Sequence, residues 1–176
     1  MDFLPNLVTI LAYTVASIIL FITPGPDMSL FLSRTIVNGR AAGMASMIGT
    51  NVGCIVHTLL AAFGVSALIA ASATGFLVLK IVGAVYLLWL AVDAIRNGSS
   101  LNVKDAERKE ASILSSFLLG ITVNLTNPKV VLFFITFLPQ FVSATDPHVT
   151  GKLLFLGLYF IVISMPLAAL MILAAE

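Results

Sequence analysis

Asp27 and Lys129 are charged side chains that each directly follow a proline inside a long apolar stretch. One stands in Thr23-Pro24-Gly25-Pro26-Asp27, the other in Asn127-Pro128-Lys129. A carboxylate and an ammonium held in such places can receive the two ends of a zwitterion. The carboxylate takes the ammonium and the ammonium takes the carboxylate. The same two groups can equally pair with each other and fasten two segments together. Proline has no backbone N–H and clashes with the preceding turn, so each run breaks a helix. Pro26 and Pro128 suit the first position of the helix that restarts, where a missing N–H costs nothing. Asp27 then sits favourably at the positive end of a helix dipole, whereas Lys129 is opposed by it and is costly to desolvate. Lys129 is therefore expected to have an anionic partner, either Asp27 or the carboxylate of a bound molecule.

Two further polar residues stand inside apolar sequence. Gly49, Gly53 and His57 follow at steps of four, on one helical face. Gly49-x-x-x-Gly53 allows close approach of another helix, and packing is the favoured reading for both glycines. Asn51 is expected to bond across helices more than to contact a ligand. His57 can titrate near neutrality and so could couple transport to protons, although a neutral packing role is the stronger expectation.

The elements that must position these residues are membrane spans. Of the 176 residues, 60% are hydrophobic and 10% charged, with mean hydropathy +1.11. Soluble domains carry about 25% charged residues. A helix needs about 20 residues to cross a hydrocarbon core of about 30 Å. Five stretches qualify: Leu7 to Thr35, Ala41 to Ala67, Gly75 to Ile95, Ile113 to Phe141 and Leu153 to Ala175. The first and fourth contain the breaks. The fold class is thus all-α and polytopic, with the first stretch a retained span rather than a signal peptide. Arg96 to Ser112 reads as a solvated loop. Arg34 and Arg40 in one connection, and the Lys/Arg residues of that loop in another, place the N-terminus outside under the positive-inside rule.

A shift of 102 positions lays Pro26-Asp27 on Pro128-Lys129 and Leu30-Phe31 on Leu132-Phe133. Residues 1–176 then form one transporter domain, with a first repeat over about 1–98 and a second over about 111–176. An odd number of spans per repeat inverts the second, and inverted repeats with broken helices mark secondary transporters. Pro26 lies eight residues before Arg34, roughly 12 Å from the inner edge at 1.5 Å per residue. Pro128 lies twelve residues before Gln140, roughly 18 Å from the outer edge and so about 12 Å from the inner one, a matching depth.

Net charge is +1, which gives no footprint for nucleic acid. The one cysteine, Cys54, supports neither a disulfide framework nor a metal site, and His148 has no neighbouring second ligand. No Walker loop, dinucleotide fingerprint, H-E-x-x-H or G-x-S-x-G occurs, so no enzyme and no cofactor is expected. Transport without an ATP site must draw on a gradient. A non-transporting scaffold or assembly partner is the alternative, but such a protein has no need of a duplicated proline–charge break. A channel lacks support, because no ring of like charges or carbonyl filter sequence occurs.

The sequence resembles the LysE/RhtB family of amino-acid exporters. The likeness is carried by Ile22 to Asp27, Ser33-Arg34, Gly39-Arg40, Gly49 to His57, Leu79 to Leu90, Asn124 to Lys129, Leu132 to Phe134 and Phe137 to Val142. It implies an inner-membrane efflux carrier for amino acids or close derivatives, driven by the proton-motive force as an antiporter, in a homodimer. From the residues themselves, the candidates for the substrate path are Pro24, Gly25, Pro26, Asp27, Asn51, His57, Asn127, Pro128 and Lys129. The family pattern is six spans in two inverted sets of three. Five are seen here, which leaves the second repeat incomplete and an inactive truncated carrier as a further alternative.

Overall fold

The computed structural model describes residues 4–97 and 111–175. The charged segment expected as a solvated loop, with Lys104, Asp105, Glu107, Arg108, Lys109 and Glu110, lies outside the described residues. Among the described residues the regular structure is entirely helical.

The chain opens with α1 (Leu7–Ile22), capped by the Asn6 side chain, which accepts from Thr9 N at 2.8 Å. Pro24 cannot donate to the carbonyl of Leu20, and α1 stops two residues before it. The chain runs extended through Gly25 and restarts as α2 (Pro26–Asn38), with Pro26 at the first helical position. The axes of α1 and α2 differ by 54°. The second break repeats this geometry. In α6 (Ile113–Thr126) the helix ends at Asn127, and α7 (Pro128–Leu132) restarts on Pro128, continuing through a π-turn (Phe133–Phe137) and a 3-10 turn (Leu138–Phe141). The bend there is 53°.

Between the bent pairs lie α3 (Arg40–Leu60), a π-turn (Ala61–Val65), α4 (Ser66–Ala71) and α5 (Ala73–Asn97). The last element is α8 (Val149–Ala174). Among the described residues, Arg40–Ala71 and Val149–Ala174 are long and apolar enough to cross a membrane unbroken. Each bent pair passes as a broken span. The expected third span, Gly75 to Ile95, falls on the 25-residue α5, where Ala73–Tyr86 forms a shorter apolar helix.

Helix α3 is the hub, packed against α2, α6 and α8. It approaches α6 closely because Gly49 and Gly53 carry no side chain. A Cβ on Gly49 would lie 2.1 Å from the Phe117 carbonyl oxygen, and one on Gly53 would lie 2.3 Å from Asn124 Oδ1. The packing reading of both glycines holds. In lipid such contact is driven by van der Waals packing, since surrounding tails are as apolar as the side chains. The outer faces are accordingly apolar, with Val8, Val85 and Leu170 all more than half exposed.

Two buried clusters fill the interior. One gathers Tyr13, Phe133, Phe134, Leu156 and Phe160; Phe133 and Phe134 are packing residues here and do not face lipid. The other gathers Met28, Phe31, Met47, Ala168 and Ile172. Helix α8 serves both, with Leu153 to Phe160 in the first and Ala168 to Ile172 in the second. The two proline breaks meet in the layer between the clusters.

Candidate functional site

The breaks leave backbone groups without helical partners, and the polar side chains of this layer answer them. An α-helix pairs each carbonyl with the N–H four residues on. Pro24 denies that bond to Leu20, and the break denies it to Thr23. Lys129 Nζ donates to Thr23 O at 2.6 Å and to Leu20 O at 3.3 Å. Its charge thus rests on the negative end of the α1 dipole. Gly25 makes room for it: a Cβ there would come within 2.9 Å of Nζ.

At the second break Pro128 denies its N–H to the Asn124 carbonyl. That oxygen takes a short-range bond from Asn127 N at 3.1 Å, and His57 Nε2 donates to it at 3.3 Å. A carbonyl can only accept, so this bond puts a proton on Nε2. Asn127 caps α7, its Oδ1 accepting from Lys129 N at 3.1 Å.

Asp27 lies in the first turn of α2 and reaches the second break. Asn124 Nδ2 donates to its Oδ2 at 2.6 Å and Asn127 Nδ2 to its Oδ1 at 2.9 Å. Both oxygens of the carboxylate are therefore held by amides of the other half of the chain. Hydrogen bonds to a charged group are worth about 1.5–3 kcal/mol each.

Two expectations are corrected. Of the two partners expected for Lys129, Asp27 or the carboxylate of a bound molecule, the pairing with Asp27 is the one corrected. Among the described residues Asp27 and Lys129 form no ion pair, because freed carbonyls beside the lysine and two amides beside the aspartate satisfy each charge separately. Asn51 was expected to bond across helices. Its Nδ2 instead donates to Met47 O of its own helix at 2.9 Å, the nearest acceptor one turn back.

Asp27, Lys129 and Asn51 line one cavity of about 50 Å³, closed by apolar side chains such as Phe31, Met47 and Phe160. At 10–15 Å³ per water this holds about four water-sized groups. Pro24, Gly25, Pro26, Asn127 and Pro128 do not line it. His57 is buried at 4% exposure, stacked on Phe134 with centroids 5.8 Å apart, and touches the site only through Asn124. The packing role expected of it is the geometry found.

Asn124 is the site residue missed by single-residue reasoning. It stands three positions before Asn127, hence on the same helical face, and that spacing was the available signal. The carbonyls of Leu20 and Thr23 were also missed, and Pro24 announced at least the first. Among the described residues, the fully buried hydroxyls of Tyr13 and Ser17 have no hydrogen-bond partner. No group of three or more metal-ligating side chains occurs among the described residues.

Broken apolar helices that meet inside an all-helical membrane protein, with opposite charges on one cavity, define a polytopic protein of transporter type. The chain belongs to the LysE type translocator family, which it matches over residues 18–176. It is 31% identical over 140 residues to an uncharacterized membrane protein of Vibrio cholerae, covering 78% of this chain and 67% of that one. It is 31% identical over 154 residues to the homoserine/homoserine lactone efflux protein of Salmonella typhimurium, covering 88% and 74%. It is 35% identical over 156 residues to the leucine efflux protein of Klebsiella pneumoniae, covering 84% and 71%. No solved structure matches the chain significantly.

Proposed function

We propose that the chain is a secondary carrier exporting amino acids or close derivatives across the inner membrane, and that the cavity at the two breaks is its substrate site. The observation that carries this reading is the meeting of two proline-broken helices, which brings Asp27 and Lys129 to one cavity without pairing them. A permanent clamp would join the two charges directly. Here each is held by neutral groups, which an incoming charged ligand can replace at modest cost.

The relatives' names narrow the ligand. Homoserine and leucine are zwitterions, whereas homoserine lactone has an amino group and no free carboxylate. The shared group is a primary α-ammonium. In this reading the layer around Asp27 receives that ammonium, and Lys129 receives a carboxylate where the substrate has one. The cavity is smaller than an amino acid with a side chain, so loading requires it to widen. Two inverted repeats, about 1–98 and 111–176, rock around the breaks to expose the site alternately to each side. The N-terminus lies outside, and the proton-motive force supplies the energy.

Counterflow of labelled leucine and homoserine in proteoliposomes tests the site. Asp27→Asn and Lys129→Gln should each lower it about tenfold or more, the loss of one charge-assisted contact at about 1.4 kcal/mol per decade. A protonophore should abolish driven efflux while leaving counterflow intact. Counterflow unchanged in both variants would place the site elsewhere.

A further inference from the structure

We infer that the carbonyls of Leu20 and Thr23 are the receiving site for the substrate's ammonium, and that Lys129 occupies it as a built-in stand-in until substrate displaces it. The inference rests on the substrate-site reading above and deepens it.

The cage is specific for an ammonium with N–H groups. Its acceptors are two backbone oxygens, Thr23 O at 2.6 Å and Leu20 O at 3.3 Å from Nζ. Both belong to the C-terminal end of α1, which carries the negative end of the helix dipole. Their availability is written into the chain, because Pro24 has no N–H to give Leu20 and the extended run through Gly25 takes Thr23 out of the helical pattern. Gly25 clears the approach, and its φ of −170° suits any residue, so backbone freedom does not explain a glycine there. Clearance for Lys129 does.

Lys129 presents the same chemical group as the substrate, a primary ammonium with three donors. Asp27 does not pair with it; each carboxylate oxygen is held instead by one amide, of Asn124 and of Asn127. Loading is then an exchange of one ammonium for another. The lysine released from the cage already lines the cavity and becomes free to meet the substrate's carboxylate. With no substrate present, the lysine returns and satisfies the orphaned carbonyls, so the breaks are never left with unpaired backbone groups in a membrane, where such groups are costly.

The test has two arms. In the wild-type protein, leucine should compete with labelled leucine in counterflow, and its N,N,N-trimethyl analogue should not, because it keeps the charge and lacks every N–H. Lys129→Ala removes the stand-in and leaves space for n-propylammonium, which matches the deleted end of the side chain. That amine should raise the thermal midpoint of the detergent-solubilised variant by about 2–4 °C and leave wild type unmoved. Tetramethylammonium should do nothing to either. Equal competition by the trimethyl analogue overturns the inference. So does stabilisation of Lys129→Ala by both cations alike, or by neither. If the alanine variant does not fold, the wild-type competition decides alone. The broader site reading fails separately, when Asp27→Asn and Lys129→Gln retain counterflow. Loss of counterflow in those variants, with no stabilisation of Lys129→Ala by n-propylammonium, would keep the site and remove the stand-in.

Discussion

The two breaks share a backbone plan and differ in how they are held. Each ends one helix, places proline at the start of the next, and bends the chain by nearly the same angle, 54° and 53°. The second break caps itself, since Asn127 accepts from the Lys129 amide two residues on. The first has no side-chain cap; Gly25 offers none, and its carbonyls depend on Lys129 from the other half of the chain. The side chain of the first break is held from the same direction, because Asn124 and Asn127 of the second donate to Asp27. The second break is therefore the organiser and the first its dependant. A pair with one self-sufficient member can open without both halves losing their structure, which alternating access requires.

The sharpest way to break this comparison is to disarm the organiser. Asn127→Ala removes a helix cap worth about 0.5–2 kcal/mol and a bond to a carboxylate worth about 1.5–3 kcal/mol. Asn124→Ala removes the bond to Asp27 and a weak one to Cys54 Sγ but no helix cap, and it also deletes Oδ1, a buried acceptor without a partner among the described residues. Thermal unfolding in detergent should therefore rank Asn127→Ala as the more damaging by at least about 1 kcal/mol. Counterflow should fall in both. Combining each with Asp27→Asn should give less than the summed loss, because the partners share one carboxylate. Equal destabilisation by the two alanines would mean that the second break does not cap itself.

Glycine substitutions sharpen the comparison further, with a smaller expected effect. Gly53 faces Asn124, and Gly49 faces the Phe117 backbone on the same helix. Alanine at either crowds the α3–α6 contact, and overpacking of this kind costs typically about 1–3 kcal/mol. The consequences should separate. Gly49→Ala pushes against backbone and should lower stability while leaving counterflow per folded molecule close to wild type. Gly53→Ala pushes on the residue that holds Asp27 Oδ2, so counterflow should drop as well. If both variants transport alike, Asn124 does not position the carboxylate.

Much of this arrangement could be read from the chain, for a definite reason. Proline removes an N–H whatever surrounds it, so Pro24, Pro26 and Pro128 placed both breaks and both helix starts without tertiary information. Glycines four apart similarly announced the close face of α3. The partners of the charges could not be read the same way. Coulomb reasoning paired Lys129 with an anion, whereas two neutral carbonyls lay nearer, and which carbonyls lie near is decided by packing alone. Asn124 escaped because an amide in an apolar helix carries no charge to mark it. Asn51 was assigned a partner across helices, although the carbonyl one turn back was within reach.

The smallest effect belongs to a partly buried charge pair in the turn before α8. Asp146 lies in the turn before α8, and Lys152 Nζ donates to its Oδ2 while His148 N donates to Oδ1 at 2.8 Å. The hydrogen bond from Lys152, then that from the His148 amide, hold the Asp146 carboxyl below the usual aspartate range. A carboxyl with a depressed folded-state pKa adds stability above its unfolded pKa and loses it as pH falls through the folded value. Asp146→Asn should therefore lower the thermal midpoint slightly at neutral pH, and the two proteins should converge once the pH drops beneath the ordinary aspartate range near 3.9. Salt should narrow the neutral-pH gap in part, because the pair sits outside the spans and keeps some contact with water. The contacts of Asp27 lie in a half-buried layer, so the penalty of Asn127→Ala should survive high salt. A salt-sensitive Asn127→Ala penalty would place the carboxylate of Asp27 in contact with bulk solvent, and an Asp146→Asn loss as large would remove the contrast between the site and the turn.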